Sequence, residues 1–180
     1  MIKNWKNKSP TQFYEKAVGF LGKPTFVADV PHGMAYWHTK GLYREHLLRD
    51  EYIAHCVPAP HHDYFYSTIV FYVPPDKLKD VLSISGSIAY DGLKKELRAR
   101  CASMEANIAT LYLGMMVASG AMKIRDVKKK GLYSSHIRGE AKEYQEMERE
   151  MRQMKKENQK KFKKELKDPF YRLAFSSCPS

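Results

Sequence analysis

The sequence predicts a mainly α-helical protein with one long central helix and a long charged C-terminal helix, and three observations carry that expectation. Residues 106–122 run for seventeen positions without a charge, in a chain that is 28% charged. Residues 140–168 contain no Gly or Pro and hold 18 charged side chains. Residues 1–75 hold 14 of the 22 aromatic side chains and six of the seven histidines, but only short helical patterns. Three regions follow. Residues 1–75 form an extended aromatic- and histidine-rich half with at most a small strand region, 76–131 a central helical region, and 132–180 a charged projecting helix with an aromatic tip.

Taken in chain order, Ser9-Pro10-Thr11 marks a helix start, because proline fits a first turn where its missing N–H is not needed. Phe13, Ala17, Phe20 and Leu21 then share one face, and Gly22-Lys23-Pro24 stops the helix. Residues 25–30 suit a short strand. Residues 42–55 read as a second helix with Tyr43, Leu47, Ile53 and Ala54 inward, broken by Pro58 and Pro60. Residues 64–73, dense in aromatic and β-branched types, are the strongest strand. Pro74-Pro75-Asp76 opens a short helix through Leu82.

Asp91 is placed to cap a long helix. From residue 93 to 130 only Gly114 and Gly120 oppose it, at about 1 kcal/mol each relative to Ala. The uncharged window would span about 25 Å as a helix, against about 30 Å of bilayer hydrocarbon. Residues 102–122 are therefore either a single transmembrane span or a helix buried in protein. Ala106, Ile108, Leu111, Leu113, Gly114, Met115, Val117 and Ala118 form its packed surface, and the small ones admit close neighbours. Residues 140–168 would make a rod of about 43 Å with a thin stripe of Tyr144, Met147, Met151 and Met154. Its acidic start and basic end suit the helix dipole.

Chemistry is harder to find. Cys56, Cys101 and Cys178 are scattered and odd in number, which argues against a disulfide framework. Six histidines fall within 31 residues, yet none of the paired spacings of a zinc site occurs. His46 and His55, nine apart, do not share a helical face. His61, His62 and Asp63 are the candidate metal ligands. No nucleophile elbow, phosphate loop or dinucleotide fingerprint is present, so neither catalysis nor a cofactor is expected.

The net charge of +11 favours an acidic partner. It is uneven: 8 basic against 6 acidic side chains in residues 1–75, 12 against 6 in 76–139, and 11 against 8 in 140–180. Residues 1–23 carry five lysines, one acid and no arginine, a partial match to a mitochondrial targeting helix or else a basic surface helix. The function expected is that of a non-catalytic accessory subunit of a large assembly in the mitochondrial inner membrane, of the respiratory-chain or ATP-synthase kind. Other subunits and the lipid bilayer would be its partners. Trp5, Trp37, Tyr64, Phe65, Phe71, Phe170, Tyr171 and Phe175 would anchor interfaces, since aromatics dominate such contacts. An RNA-contacting ribosomal or ribonucleoprotein subunit is the alternative, with Lys128, Lys129, Lys130, Lys160, Lys161, Lys163 and Lys164 on phosphate. A third reading is a metal- or haem-contacting protein that uses the histidine cluster.

Overall fold

A computed structural model describes residues 2–30, 32–56 and 60–167. It overturns the mainly α expectation. Six strands, β1 (Phe26–Ala28), β2 (Met34–His38), β3 (Glu45–His55), β4 (His61–Val70), β5 (Ile88–Asp91) and β6 (Glu96–Cys101), form one antiparallel sheet in the order β1-β2-β3-β4-β6-β5. The helices are α1 (Lys8–Leu21), α2 (Pro75–Leu82), α3 (Met104–Ser119), α4 (Ile124–Lys129), α5 (Leu132–His136), α6 (Ala141–Lys161) and α7 (Lys163–Leu166). The larger core cluster draws on residues from Leu42 to Met151 and so crosses all three sequence regions.

The first correction concerns residues 42–55, expected as a helix. Residues 45–55 of that stretch form β3, whose first six residues alternate between half-buried and buried, with His46, Leu48 and Asp50 inward. Leu, Arg and Glu suit a helix intrinsically, but pairing with β2 and β4 on both edges overrides a weak local preference. Pairing sets His46 opposite Trp37 and Ser67, and Leu48 opposite Ala35 and Phe65. That inward face continues through Ile69, Leu97 and Ala99. Beyond Leu48 the β3–β4 register shifts, and it resumes at Ile53↔Asp63 and His55↔His61.

The second correction is the long helix from 93 to 130. Asp91 caps no helix. Its Oδ1 accepts the Leu93 and Lys94 amides at 3.0 Å in the tight turn between β5 and β6, where Lys95 takes a positive φ of 55°. The helix starts only at Met104, where the Ser103 hydroxyl accepts the Ala106 amide. It ends at Gly120, whose left-handed φ of 82° makes a glycine C-cap.

The third correction is the membrane span. The helix α3 has 16 residues, and no described helix is long and apolar enough to cross a bilayer. The lack of charge in α3 beyond Glu105 has another cause. Eleven of its residues are buried, including Asn107 and Thr110, because sheet, α2, α5 and α6 surround it. A helix enclosed on all sides has no polar face. Gly114 lies so close to the sheet that an added Cβ would stand 2.7 Å from Ile88 Cδ1 and 3.0 Å from Leu97 Cδ2.

The charged rod is helical as expected over Ala141–Lys161, but it breaks at Phe162 before the short α7, and it does not project. Tyr144, Met147 and Met151 of α6 are buried against the core. Asn158 pins its far end, its Oδ1 accepting the Tyr72 amide at 2.8 Å and its Nδ2 donating to the Tyr72 carbonyl at 2.9 Å. α1, β1, β4 and α2 fall within a few residues of their expected places. The basic N-terminal stretch read as a targeting or surface helix is α1, which contributes Phe13 and Ala17 to a second core cluster with Trp37, Leu48 and Phe65. Just before it, the fully buried Asp50 carboxylate accepts the Lys6 and Asn7 amides at 2.7 and 2.8 Å.

Helices cover one face of the sheet. The other carries a half-exposed polar ladder: Tyr36 to Glu45 at 3.1 Å, Tyr66 to Glu51 at 2.6 Å, and Arg44 paired with the buried Glu96.

Candidate metal centre

At the far end of the β3–β4 hairpin, three strands and one turn converge on a single carboxylate. Asp63 of β4 is fully buried. Its Oδ2 accepts from Ser87 Oγ and Arg100 Nε, both at 3.2 Å. Its Oδ1 is also buried, accepts no hydrogen bond from any described residue, and lies 3.0 Å from His61 Nε2. His61 Nε2 is in turn 3.3 Å from His55 Nδ1, which stands 3.6 Å from Asp63 Oδ2 and 2.9 Å from Ser87 Oγ. Cys101, the last residue of β6, borders the group with Sγ 3.4 Å from His61 Nε2.

The geometry follows from the strands. Residues two apart on a strand point the same way, so His61 and Asp63 side by side need no special turn. His55 joins them because cross-strand pairing sets it opposite His61. β6 runs along the other edge of β4 and supplies Arg100 and Cys101, while Ser87 precedes β5. One donor atom each from His55, His61 and Asp63 falls within 4.8 Å of the other two, a spacing fit for a metal ion.

Electrostatics favour the ligating form of the His55 imidazole. Burial holds His55 below the usual histidine value, with Asp63 opposing and the charges of His61 and Arg100 adding to the depression. Its ring is neutral near pH 7 and offers a lone pair. Burial pushes the Cys101 thiol up to about 11, the Ala102 amide opposing and the Asp63 charge adding. Cys101 is therefore a thiol in the metal-free chain, not an activated nucleophile.

The cluster is not a Ser-His-Asp triad. In a triad the hydroxyl and the carboxylate use opposite nitrogens of the imidazole. Here Ser87 and Asp63 both face His55 Nδ1, while Nε2 points toward Gly86.

Of the metal candidates named from sequence, the structure brings His61 and Asp63 together and leaves His62 out. His62 points away and stacks on Tyr52 at 4.6 Å between ring centroids. The sequence reading sets His55 aside because it does not share a helical face with His46, and Cys101 because the cysteines are scattered; Ser87 and Arg100 are not among its metal candidates. Reading 42–55 as a helix removed His55, although strand alternation through His61 and Asp63 was visible in the sequence. Cys101 lies 40 residues from His61, and only strand order joins them.

The proposed anchors Trp5, Trp37, Tyr64, Phe65 and Phe71 lie in the chain's own core, with Trp5 donating to the Ala28 carbonyl and Trp37 to the Gly22 carbonyl. Phe170, Tyr171 and Phe175 fall outside the described residues. The helix positions Ala106, Ile108, Leu111, Leu113, Gly114, Met115, Val117 and Ala118 are all buried in α3. Lys128, Lys129, Lys130, Lys160, Lys161, Lys163 and Lys164 are exposed. Comparison of the chain with protein-family models, characterised proteins and solved structures finds no match.

Proposed function

We propose that this chain is a metal-binding protein that holds a divalent first-row transition ion through His55, His61 and Asp63. The observation that carries the reading is the buried Asp63 Oδ1, which accepts no hydrogen bond from any described residue and lies 3.0 Å from His61 Nε2, while His55 Nδ1 stands 3.6 Å from the other carboxylate oxygen. A buried anionic oxygen that accepts no hydrogen bond is costly, and a cation between carboxylate and imidazoles removes that cost. Two ring nitrogens 3.3 Å apart are also the spacing a metal imposes. Metal–nitrogen bonds of about 2.05 Å at a tetrahedral angle set the nitrogens about 3.3 Å apart. The other carboxylate oxygen, held by Ser87 and Arg100, is oriented as ligating carboxylates are by their outer-shell partners. Two imidazoles and one carboxylate suit zinc or iron(II) rather than magnesium or calcium. Metal analysis of the purified chain after loading and desalting tests this: about one zinc per chain is expected, falling to near zero in Asp63→Ala. Failure of the unsubstituted chain to retain zinc, cobalt or iron would sink it.

A second reading, membership of a larger assembly as a non-catalytic subunit, draws support from a different feature. Phe26 on the edge strand β1 and Val30 just beyond it are 55% and 54% exposed, and an open strand edge invites pairing with another chain. Native mass measurement on material from source cells would support it by a species well above the 20.9 kDa of the chain.

A further inference from the structure

Resting on the metal reading above, we infer that Cys101 is the fourth ligand, making the centre a closed two-histidine, one-carboxylate, one-thiolate zinc site. The site staples β3, β4 and β6 together and leaves no position open for a substrate.

Placement is the first ground. Cys101 is 6% exposed and sits at the end of β6, paired to Phe65 two residues beyond Asp63. Its Sγ is 3.4 Å from His61 Nε2, so it borders the set of His55, His61 and Asp63. Their ligand atoms already lie within 4.8 Å of one another, and a rotation of the Cys101 side chain toward that set closes the fourth position. A zinc–nitrogen bond of about 2.05 Å and a zinc–sulfur bond of about 2.3 Å at a tetrahedral angle set the two atoms about 3.5 Å apart.

Charge is the second ground. A divalent ion on neutral His55 and His61 with Asp63 alone leaves a net +1, to which Arg100, 3.2 Å from the same carboxylate, adds another. Burying that excess is costly. A coordinated thiol gives up its proton to solvent, and the resulting thiolate brings the ion and its ligands to neutrality. Only the charge of Arg100, 28% exposed, then remains.

The third ground is the sheet itself. Between Leu48 and Ile53 the β3–β4 ladder shifts register, and the outer end of the hairpin is paired separately through Ile53↔Asp63, Ala54↔His62 and His55↔His61. A four-coordinate ion there ties His55 of β3, His61 and Asp63 of β4, and Cys101 of β6. A sulfur ligand also moves the preference from iron(II) toward zinc.

Cobalt(II) spectroscopy on the full chain tests this. With Cys56→Ser and Cys178→Ser in place, Cys101 is the one thiol left. Cobalt added to the chelator-treated chain is expected to give the strong visible bands of four-coordinate cobalt and a near-ultraviolet thiolate-to-cobalt band, both abolished by zinc. Cys101→Ser should remove the near-ultraviolet band and weaken binding at least roughly tenfold. Visible bands with no thiolate band in the Cys101-containing chain overturn the fourth ligand and leave the three-ligand site standing. No cobalt spectrum and no retained zinc overturn both. Zinc-edge X-ray absorption on the unsubstituted chain needs no variant. One zinc–sulfur distance of about 2.3 Å beside shorter nitrogen and oxygen distances supports the inference, and a shell of nitrogen and oxygen alone overturns it.

Discussion

At the scale of single residues, the buried polar groups have specific work to do, and each yields a measurable cost. His46 is 1% exposed, stacked on Phe65 with 5.6 Å between ring centroids and bonded through Nδ1 to Ser67 Oγ at 2.9 Å. Burial lowers its pKa to about 4 from the ordinary 6.5. The unfolded chain therefore takes up a proton first as pH falls. His46 costs nothing above about pH 6.5, and the loss grows between 6.5 and 4 to at most about 3 kcal/mol. Denaturation midpoints at pH 7.5 and 4.5, taken in chelator, should show a smaller pH dependence in His46→Gln than in the unsubstituted chain. An equal dependence would place the titration elsewhere. Asp50 is the second case. Its carboxylate satisfies two backbone amides that precede α1, and Asp50→Ala leaves both without that acceptor. A loss of about 2–4 kcal/mol in urea unfolding is expected.

At the scale of elements, contacts rather than propensity fix where helices lie. Ala is the better helix former, yet Gly114 allows α3 to lie on Ile88 and Leu97. A Gly114→Leu substitution should cost about 1–3 kcal/mol through overpacking, read as a lower thermal midpoint with far-UV circular dichroism little changed. Asn158 acts as a strand mimic for Tyr72. Removing it in Asn158→Ala should raise hydrogen exchange at the C-terminal end of α6 while the Tyr144–Met151 part stays protected. Elements with local signals were legible: proline at a helix start, breakers at its end, and a β-branched run in β4. β3 was not, because Leu, Arg, Glu and Ala describe a helix until neighbours on both edges claim the backbone. The end of α3 had its signal in Gly120, but the uncharged sequence on either side masked it.

At the scale of the whole molecule, the described chain is a six-stranded sheet with helices on one face and a polar ladder on the other. The His55–His61–Asp63 cluster lies just beyond the register shift in the β3–β4 ladder. Ion binding to the folded chain alone stabilises it by mass action, so zinc should raise the melting temperature and a chelator should lower it again. The rise should vanish in Asp63→Ala. A melting temperature indifferent to zinc in the unsubstituted chain would separate the cluster from folding.

By itself the sequence determined what depends on neighbours along the chain: the boundaries of α1 and α2, the strand character of β4, the helicity of α6, and the interest of His61 and Asp63. It also determined that residues 106–122 would need close packing, since small and uncharged side chains bury well against protein. Tertiary structure alone decided what encloses that helix, whether residues 42–55 would be strand, and which residues would meet Asp63. The physical reason is common to all three. Burial and cross-strand pairing act between residues tens of positions apart, and they outweigh the few tenths of a kcal/mol per residue by which local preferences differ.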